Sequence, residues 1–226
     1  MAAFVGYCVA AYLLGSLPFG YLMGRLKGVD IRTAGSRNIG ATNCWRVCGW
    51  KCGFAAFVLD VGKGFVPTYV AWLMTRLCPL YNADVLGEAA RHVFVVVAGA
   101  SAIAGHVLPV YLRFRGGKAV ATSLGVLLGI PAVMPLAVAA FAAWLIVFAL
   151  TRYVSVASTI AALTLLAGAL TVDAANLRID LAGPWHGRLP LTIMIILLVV
   201  LVLVRHRSNY RRLLAGTENK FSGKKN

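Results

Sequence analysis

The chain has 226 residues, 60% of them hydrophobic and 13% charged, and its mean hydropathy is +0.81. Soluble domains hold roughly 45–50% apolar and about 25% charged residues, so a soluble domain is excluded. The net charge is +15. No long soluble segment is present to grip a nucleic acid, and basic residues collect in the cytoplasmic loops of membrane proteins.

Seven apolar segments, at about 2–24, 53–75, 92–112, 119–131, 132–151, 154–172 and 189–205, predict an all-α, polytopic integral membrane protein. The first, Met1 to Met23, has no basic stretch before it and is of span length. It reads as a membrane helix, not a cleaved signal. Most segments reach the ~20 residues needed to cross a bilayer. The fourth is short and is expected to dip in and pack against protein rather than cross alone. Pro131 and Pro135 mark its boundary with the fifth. In the second segment, Asp60 and Lys63 are spaced to neutralise each other. No internal repeat or low-complexity linker is visible, so residues 1–226 are expected to form one membrane-embedded domain.

An odd number of spans puts the termini on opposite sides. With the C-terminus inside, seventeen of the 22 Lys and Arg fall on the inner side. The outer side then holds Arg76, Arg91, Arg178 and Arg188, balanced by Asp84, Glu88, Asp173 and Asp180. Only Asp30 and Glu218 oppose the inner bases, among them the tail lysines Lys224 and Lys225. The expectation is therefore N-terminus outside, C-terminus cytoplasmic.

Four polar patches then share the cytoplasmic face: Asp30 to Arg46, Gly105 to Ser123, Arg152 to Ser158 and Arg205 to Lys220. In the first, Gly35, Gly40 and small neighbours leave backbone amides to point at an anion, as in phosphate-binding nests. Ser36, Asn38, Thr42 and Asn43 add donors, and Arg32, Arg37 and Arg46 add charge. It is not a Walker loop. In the second, Gly116 and Gly117 stand before an apolar segment, where bare amides and a helix dipole favour an anion. Lys118 follows them, and His106 lies twelve residues before it, either in the site or as an ordinary hydrogen-bonded helix residue. The third patch offers Arg152, Ser155 and Ser158. In the fourth, His206 and Asn209 share a helical face, followed by Arg211, Arg212 and Gly216-Thr217-Glu218. A basic cytoplasmic surface also attracts anionic membrane lipids.

The absences are informative. No His carries an Asp five places on, so the pattern of acyl-CoA-type glycerolipid acyltransferases is missing, and there is no Gly-x-Ser-x-Gly elbow. Two acids on the active face do not make a carboxylate metal cage. Cys44, Cys48 and Cys52 recur every four residues with no His or further Cys close by, which points to reduced structural thiols. No metal or cofactor is expected.

The run GSLPFGYLMGRLKGVDIRTAGSRNIGATNCWR resembles the first motif of the bacterial acyl-phosphate:glycerol-3-phosphate acyltransferases, the PlsY family. HVLPVYLRFRGGKAVATS resembles the second and HRSNYRRLLAGTENK the third, and LDVGKGFVP and RYVSVAS also fit. Arg115 stands where Lys is usual, and Ala119 where Gly is usual. The resemblance implies a seven-helix enzyme of the bacterial inner membrane. It would take an acyl group from acyl phosphate to the 1-hydroxyl of glycerol 3-phosphate, the first step of phospholipid synthesis. It further implies catalytic roles for Ser36, Lys118 and His206. Substrate binding would fall to Arg46, Asn38, Gly40, Thr42, Asn43, His106, Gly116, Gly117, Ser155, Asn209 and Glu218. An organophosphate or anion transporter is the alternative, although such sites usually lie near the midplane of a repeated fold.

Overall fold

The computed structural model describes residues 2–78, 83–174 and 185–221. Arg178, Asp180, Lys224 and Lys225 lie outside the described residues, as do the side chains of Asp84, Glu88, Asp173 and Arg188. The described elements are all helical. They are α1 (Ala2–Ser16), α2 (Phe19–Leu26), α3 (Ala41–Cys48), α4 (Trp50–Leu77), α5 (Ala83–Val107), α6 (Val120–Leu128), α7 (Met134–Thr151), α8 (Val154–Ala174) and α9 (Trp185–Leu214). A single 3-10 turn, Val110–Leu112, follows α5. Six segments among the described residues are long and apolar enough to cross a bilayer: Ala2–Leu26, Trp50–Leu77, Ala90–Leu112, Met134–Thr151, Val154–Thr171 and Leu189–Leu214. The fourth apolar run yields α6, whose nine residues are too few to cross alone.

One boundary differs from the sequence reading. The first apolar run is two helices, broken at Leu17 and Pro18. Proline has no N–H to continue the helical ladder, so the chain bends there. The Leu17 carbonyl accepts the Phe19 N–H at 3.1 Å and the Lys63 ammonium at 2.6 Å. The last apolar run continues as α9 to Leu214, so His206 and Asn209 lie on one helix, as their spacing implies.

Without water between them, membrane helices gain little from apolar burial and rely on close packing of small residues. On α4 and α6, Gly64 lies against the Thr122 backbone and Gly125 against that of Val61, where a Cβ would overlap. Gly15 and Gly105 do the same for α1 and α5, which run parallel. Phe4 and Tyr7 pack on Phe94 near the starts of that pair. Tyr12 donates to the Leu108 carbonyl near the ends, at 2.7 Å. Trp72, Thr75 and Arg76 of α4, Ile130 to Ala132 after α6, His92 of α5 and Leu191 of α9 line one cavity. These segments thus meet at one end of the bundle, and the polar patches collect at the other.

Asp60 and Lys63 form the expected pair, 2.7 Å apart and wholly buried. His106 Nδ1 lies 3.7 Å from the same carboxylate oxygen. Removing one member of a buried pair strands the other and costs roughly 3–5 kcal/mol. Lys63→Met should therefore lower the melting temperature in detergent sharply, and Asp60→Asn with Lys63→Met should recover most of it. A single variant that melts like the parent would show that the pair supports nothing.

Candidate active site

The first patch is a loop between α2 and α3, folded around one side chain. Asn43 is 1% exposed. Its amide donates to the carbonyls of Ile31 (2.8 Å), Asn38 (2.9 Å) and Ala34 (3.2 Å). Its oxygen accepts the Ser36 N–H at 2.8 Å. Asn38 Oδ1 takes the Gly40 N–H at 2.9 Å. The amides of Ser36 and Gly40 are therefore engaged within the loop, where the sequence suggested bare donors. Asn43 is the organiser of this loop. Ser36 remains exposed and Thr42 half-buried on its surface. Gly35 and Arg37 carry positive φ, 56° and 58°, which gives the loop its sharp turns. Asp30 pairs with Arg32 at 2.6 Å, and this partner holds its carboxyl down at about 2.

The second patch packs against the end of α5. The Gly117 N–H donates to the His106 carbonyl at 3.1 Å. A Cβ on Gly117 would strike the His106 ring, and one on Gly116 the carbonyls of His106 and Val107. The two glycines are there because the loop lies flat on α5, and one of their amides is used in doing so. His106 is held from behind by Thr122, whose Oγ1 is 3.2 Å from Nδ1. Ala119 caps α6 with φ at 60°, a left-handed conformation that explains a glycine preference at this position.

The fourth patch meets the second. Arg205 Nη2 donates to the carbonyls of Gly117 (2.5 Å) and Gly116 (3.1 Å). Lys118 Nζ donates to Asn209 Oδ1 at 2.5 Å. Asn209 Nδ2 then donates to Glu218 Oε1 at 2.6 Å, and Arg212 Nε to Glu218 Oε2 at 2.8 Å. Glu218 can reach back because α9 ends in a Schellman turn. Gly216, at φ 69°, is its left-handed residue, with Gly216 N–H to Leu213 O and Thr217 N–H to Arg212 O. The third patch joins through α8, where Thr159 Oγ1 lies 2.6 Å from Tyr210 OH of α9.

Two buried polar atoms in this region have no protein partner, Ser155 Oγ and His206 Nε2. His206 Nδ1 lies 2.8 Å from the Val202 carbonyl. A carbonyl only accepts, so Nδ1 carries the proton of the neutral ring and Nε2 presents a lone pair. Buried groups of this kind are rarely left unsatisfied.

Burial lowers the Lys118 ammonium to about 8. Glu218 opposes that shift, while Arg212, Arg205 and Arg46 add to it. Desolvation also pushes Arg46 down, again opposed by Glu218. Burial raises the Cys44 thiol to about 12, which leaves it protonated and poorly nucleophilic at neutral pH. The cysteines are all free, and no group of three metal-binding side chains occurs among the described residues.

The four patches thus converge on one polar cluster at one end of the bundle. Sequence reasoning left out Arg205, Thr122 and Arg212 as braces of the site. Arg205 and Arg212 stood in the same basic motif as His206, and their donor geometry depends on the fold.

The glycerol-3-phosphate acyltransferase family model matches residues 5–216. The chain belongs to that family. It is 42% identical over 212 residues to the glycerol-3-phosphate acyltransferase of Geobacter sulfurreducens, covering 93% of this chain and 94% of that one. Its fold is similar to crystal structures of PlsY, an integral membrane glycerol 3-phosphate acyltransferase. The glycerol 3-phosphate form matches with TM-score 0.77 and 36% identity, over 97% of this chain and 96% of that one. The lysophosphatidic acid form matches with TM-score 0.75 and 35% identity, over 98% and 96%. This member of the family is a membrane-embedded enzyme.

The Lys118 environment sets a pH dependence. Below about 8 the group is a cation; above it the charge is lost. Sulfate, which does not titrate near neutrality, should bind the purified protein more weakly as pH rises through about 8. Glu218→Gln should move that midpoint down, because the carboxylate holds the ammonium's pKa up. Calorimetric titration across pH 6.5 to 9.5 (a range chosen to bracket roughly 8) reads both, and an unchanged midpoint in the variant would remove Glu218 from the Lys118 environment.

Proposed function

We propose that this enzyme transfers a fatty acyl group from acyl phosphate to the 1-hydroxyl of glycerol 3-phosphate, giving lysophosphatidic acid and inorganic phosphate. Family membership supports the reaction class. The observation that carries the reading is the cluster of Arg46, Lys118 and Asn209 beside buried, unpartnered Ser155 Oγ and His206 Nε2. Such a pocket suits a small dianion that also bears hydroxyls.

In the proposed assignment, Arg46, Lys118, Ser155, His206 and Asn209 hold glycerol 3-phosphate. Ser36, Asn38, Gly40, Thr42, Gly116 and Gly117 form the wall for the acyl-phosphate headgroup. Asn43 shapes the first wall, His106 backs the second, and Glu218 orients Asn209. The glycerol hydroxyl oxygen attacks the acyl carbon, the bond from that carbon to the phosphate oxygen breaks, and phosphate leaves with the electron pair. The hydroxyl proton passes to the departing phosphate or to the His206 Nε2 lone pair. Acyl phosphate is already activated, so positioning and charge stabilisation suffice without an acyl-enzyme. The raised Cys44 thiol agrees with that.

In the same reading, residues 1–226 form one domain of the inner membrane. The short α6 and residues 130–132 after it complete a seventh crossing, α6 packing along the middle of α4 and residues 130–132 reaching its far end. The N-terminus is then outside and the site faces the cytoplasm, where a soluble dianionic substrate is available. In a cysteine-free background, Leu77→Cys should react with an impermeant reagent from outside, and Lys27→Cys should not. The reverse labelling would put the site on the wrong side of its substrate.

Purified protein should release phosphate from acyl phosphate only when glycerol 3-phosphate is present, with lysophosphatidic acid as the acylated product. Initial-rate plots should intersect, as a ternary complex requires. Ser36→Ala should lower kcat by ~10²–10³, the usual effect of losing one transition-state donor. Arg46→Ala should raise KM for glycerol 3-phosphate more than for acyl phosphate. Parallel lines, or an acylated protein trapped without glycerol 3-phosphate, would exclude direct attack.

A further inference from the structure

Past Gly216, where the family match ends, the chain still folds against the site. Lys220 lies over the Tyr153 ring at 5.5 Å. The Phe221 N–H donates to the Arg152 carbonyl at 2.9 Å. The Phe221 ring sits edge-on to two others, 5.3 Å from Phe148 of α7 and 5.4 Å from Trp45 of α3. Phe148 and Arg152 are joined by the last hydrogen bond of α7, so backbone and ring of Phe221 grip one helix end. Trp45 precedes Arg46, a proposed substrate ligand.

We propose that Phe221 is a positioning residue for the glycerol 3-phosphate pocket, latching residues 217–221 across the ends of α3, α7 and α9. This rests on the acyltransfer reading above. The segment has two anchors. The Schellman turn at Gly216 fixes one end, and Phe221 fixes the other. Glu218 hangs between them and holds Asn209, which holds Lys118. With the far anchor gone, the segment pivots about Gly216, a residue with no Cβ to resist. Glu218 then leaves Asn209 and Arg212, so Asn209 is no longer held toward Lys118, and the ammonium loses the one acid among the described residues that faces it. The titratable groups left facing it are Arg46, Arg205, Arg212 and His206, none of them acidic. Edge-on ring contacts are strong enough for this duty on a surface segment.

Phe221→Ala is the test, since it removes both ring contacts and leaves the backbone bond to Arg152. KM for glycerol 3-phosphate should rise about five- to tenfold, the scale of two ring contacts, while KM for acyl phosphate changes less than about twofold. Phe221→Tyr, which keeps the ring, should restore the parent value. Phe148→Ala should mimic the defect, and the double variant should be no worse than either single one. A merely structural role would not predict one further result: in Phe221→Ala the pH midpoint of sulfate binding should move down, as in Glu218→Gln. An unchanged KM for glycerol 3-phosphate, equal rises in both KM values, additive effects, or a fixed midpoint would each overturn the latch. The sulfate measurement needs no acyl donor. A parent protein that makes no lysophosphatidic acid while Phe221→Ala still shifts that midpoint would sink the acyltransfer reading and leave the latch standing.

Discussion

The Lys63 ammonium is the group on which the site's geometry hangs. An isolated charge at that depth costs several kcal/mol, so it must be fully partnered. Its partners come from different parts of the chain. Asp60 lies one turn back on α4. The Leu17 carbonyl lies at the break between α1 and α2, and the Phe19 ring lies just past it, 5.5 Å away. Capping that carbonyl stabilises the bend, and the bend aims α2 and the loop that Asn43 organises. The other side of Asp60 faces His106, whose carbonyl and ring seat Gly117. One cation in the apolar interior therefore sets how the first and second patches stand relative to each other.

Much of the architecture was legible because membranes impose strong rules. Span length, loop charge and the expense of stray polar groups placed the helices and gathered the patches. The pairing of Asp60 with Lys63 followed from their spacing alone. Other features were hidden for physical reasons. Hydropathy stays high on both sides of Leu17 and Pro18, so it showed no break, and the Lys63 bond to the Leu17 carbonyl depends on the fold. The Asn43 side chain and the Gly117 N–H, read as donors to an anion, donate within the protein, to loop carbonyls and to the His106 carbonyl.

Backbone strain has a telling distribution. Among the described residues, five non-glycine residues have positive φ: Arg37, Arg113, Phe114, Ala119 and Arg152. All lie within the first three patches. A left-handed residue costs of order 1 kcal/mol or more and persists only where its surroundings overdetermine it. Here the surroundings are the Asn43 clamp, the α5 terminus and the Phe221 anchor. The helices tolerate no such residue, so the strain collects where the chain must turn sharply to bring polar groups to one point.

Charge balance explains why an acid sits in the cationic cluster. Arg46, Lys118, Arg205 and Arg212 share a small, half-buried volume. Burial brings Lys118 down to about 8, and the crowded arginines add to that fall. Asp30 cannot relieve them, since it is committed to Arg32 in an exposed pair. Glu218 is the acid that faces the cluster. It offsets part of the excess without filling the place of a substrate, because its oxygens are directed to Asn209 and Arg212. A larger acidic complement would repel a phosphate dianion. A smaller one would discharge Lys118 near neutral pH. In the proposed reaction the incoming dianion supplies the remaining neutralisation, so the ammonium is held most firmly protonated when substrate is bound and charge develops on the acyl group.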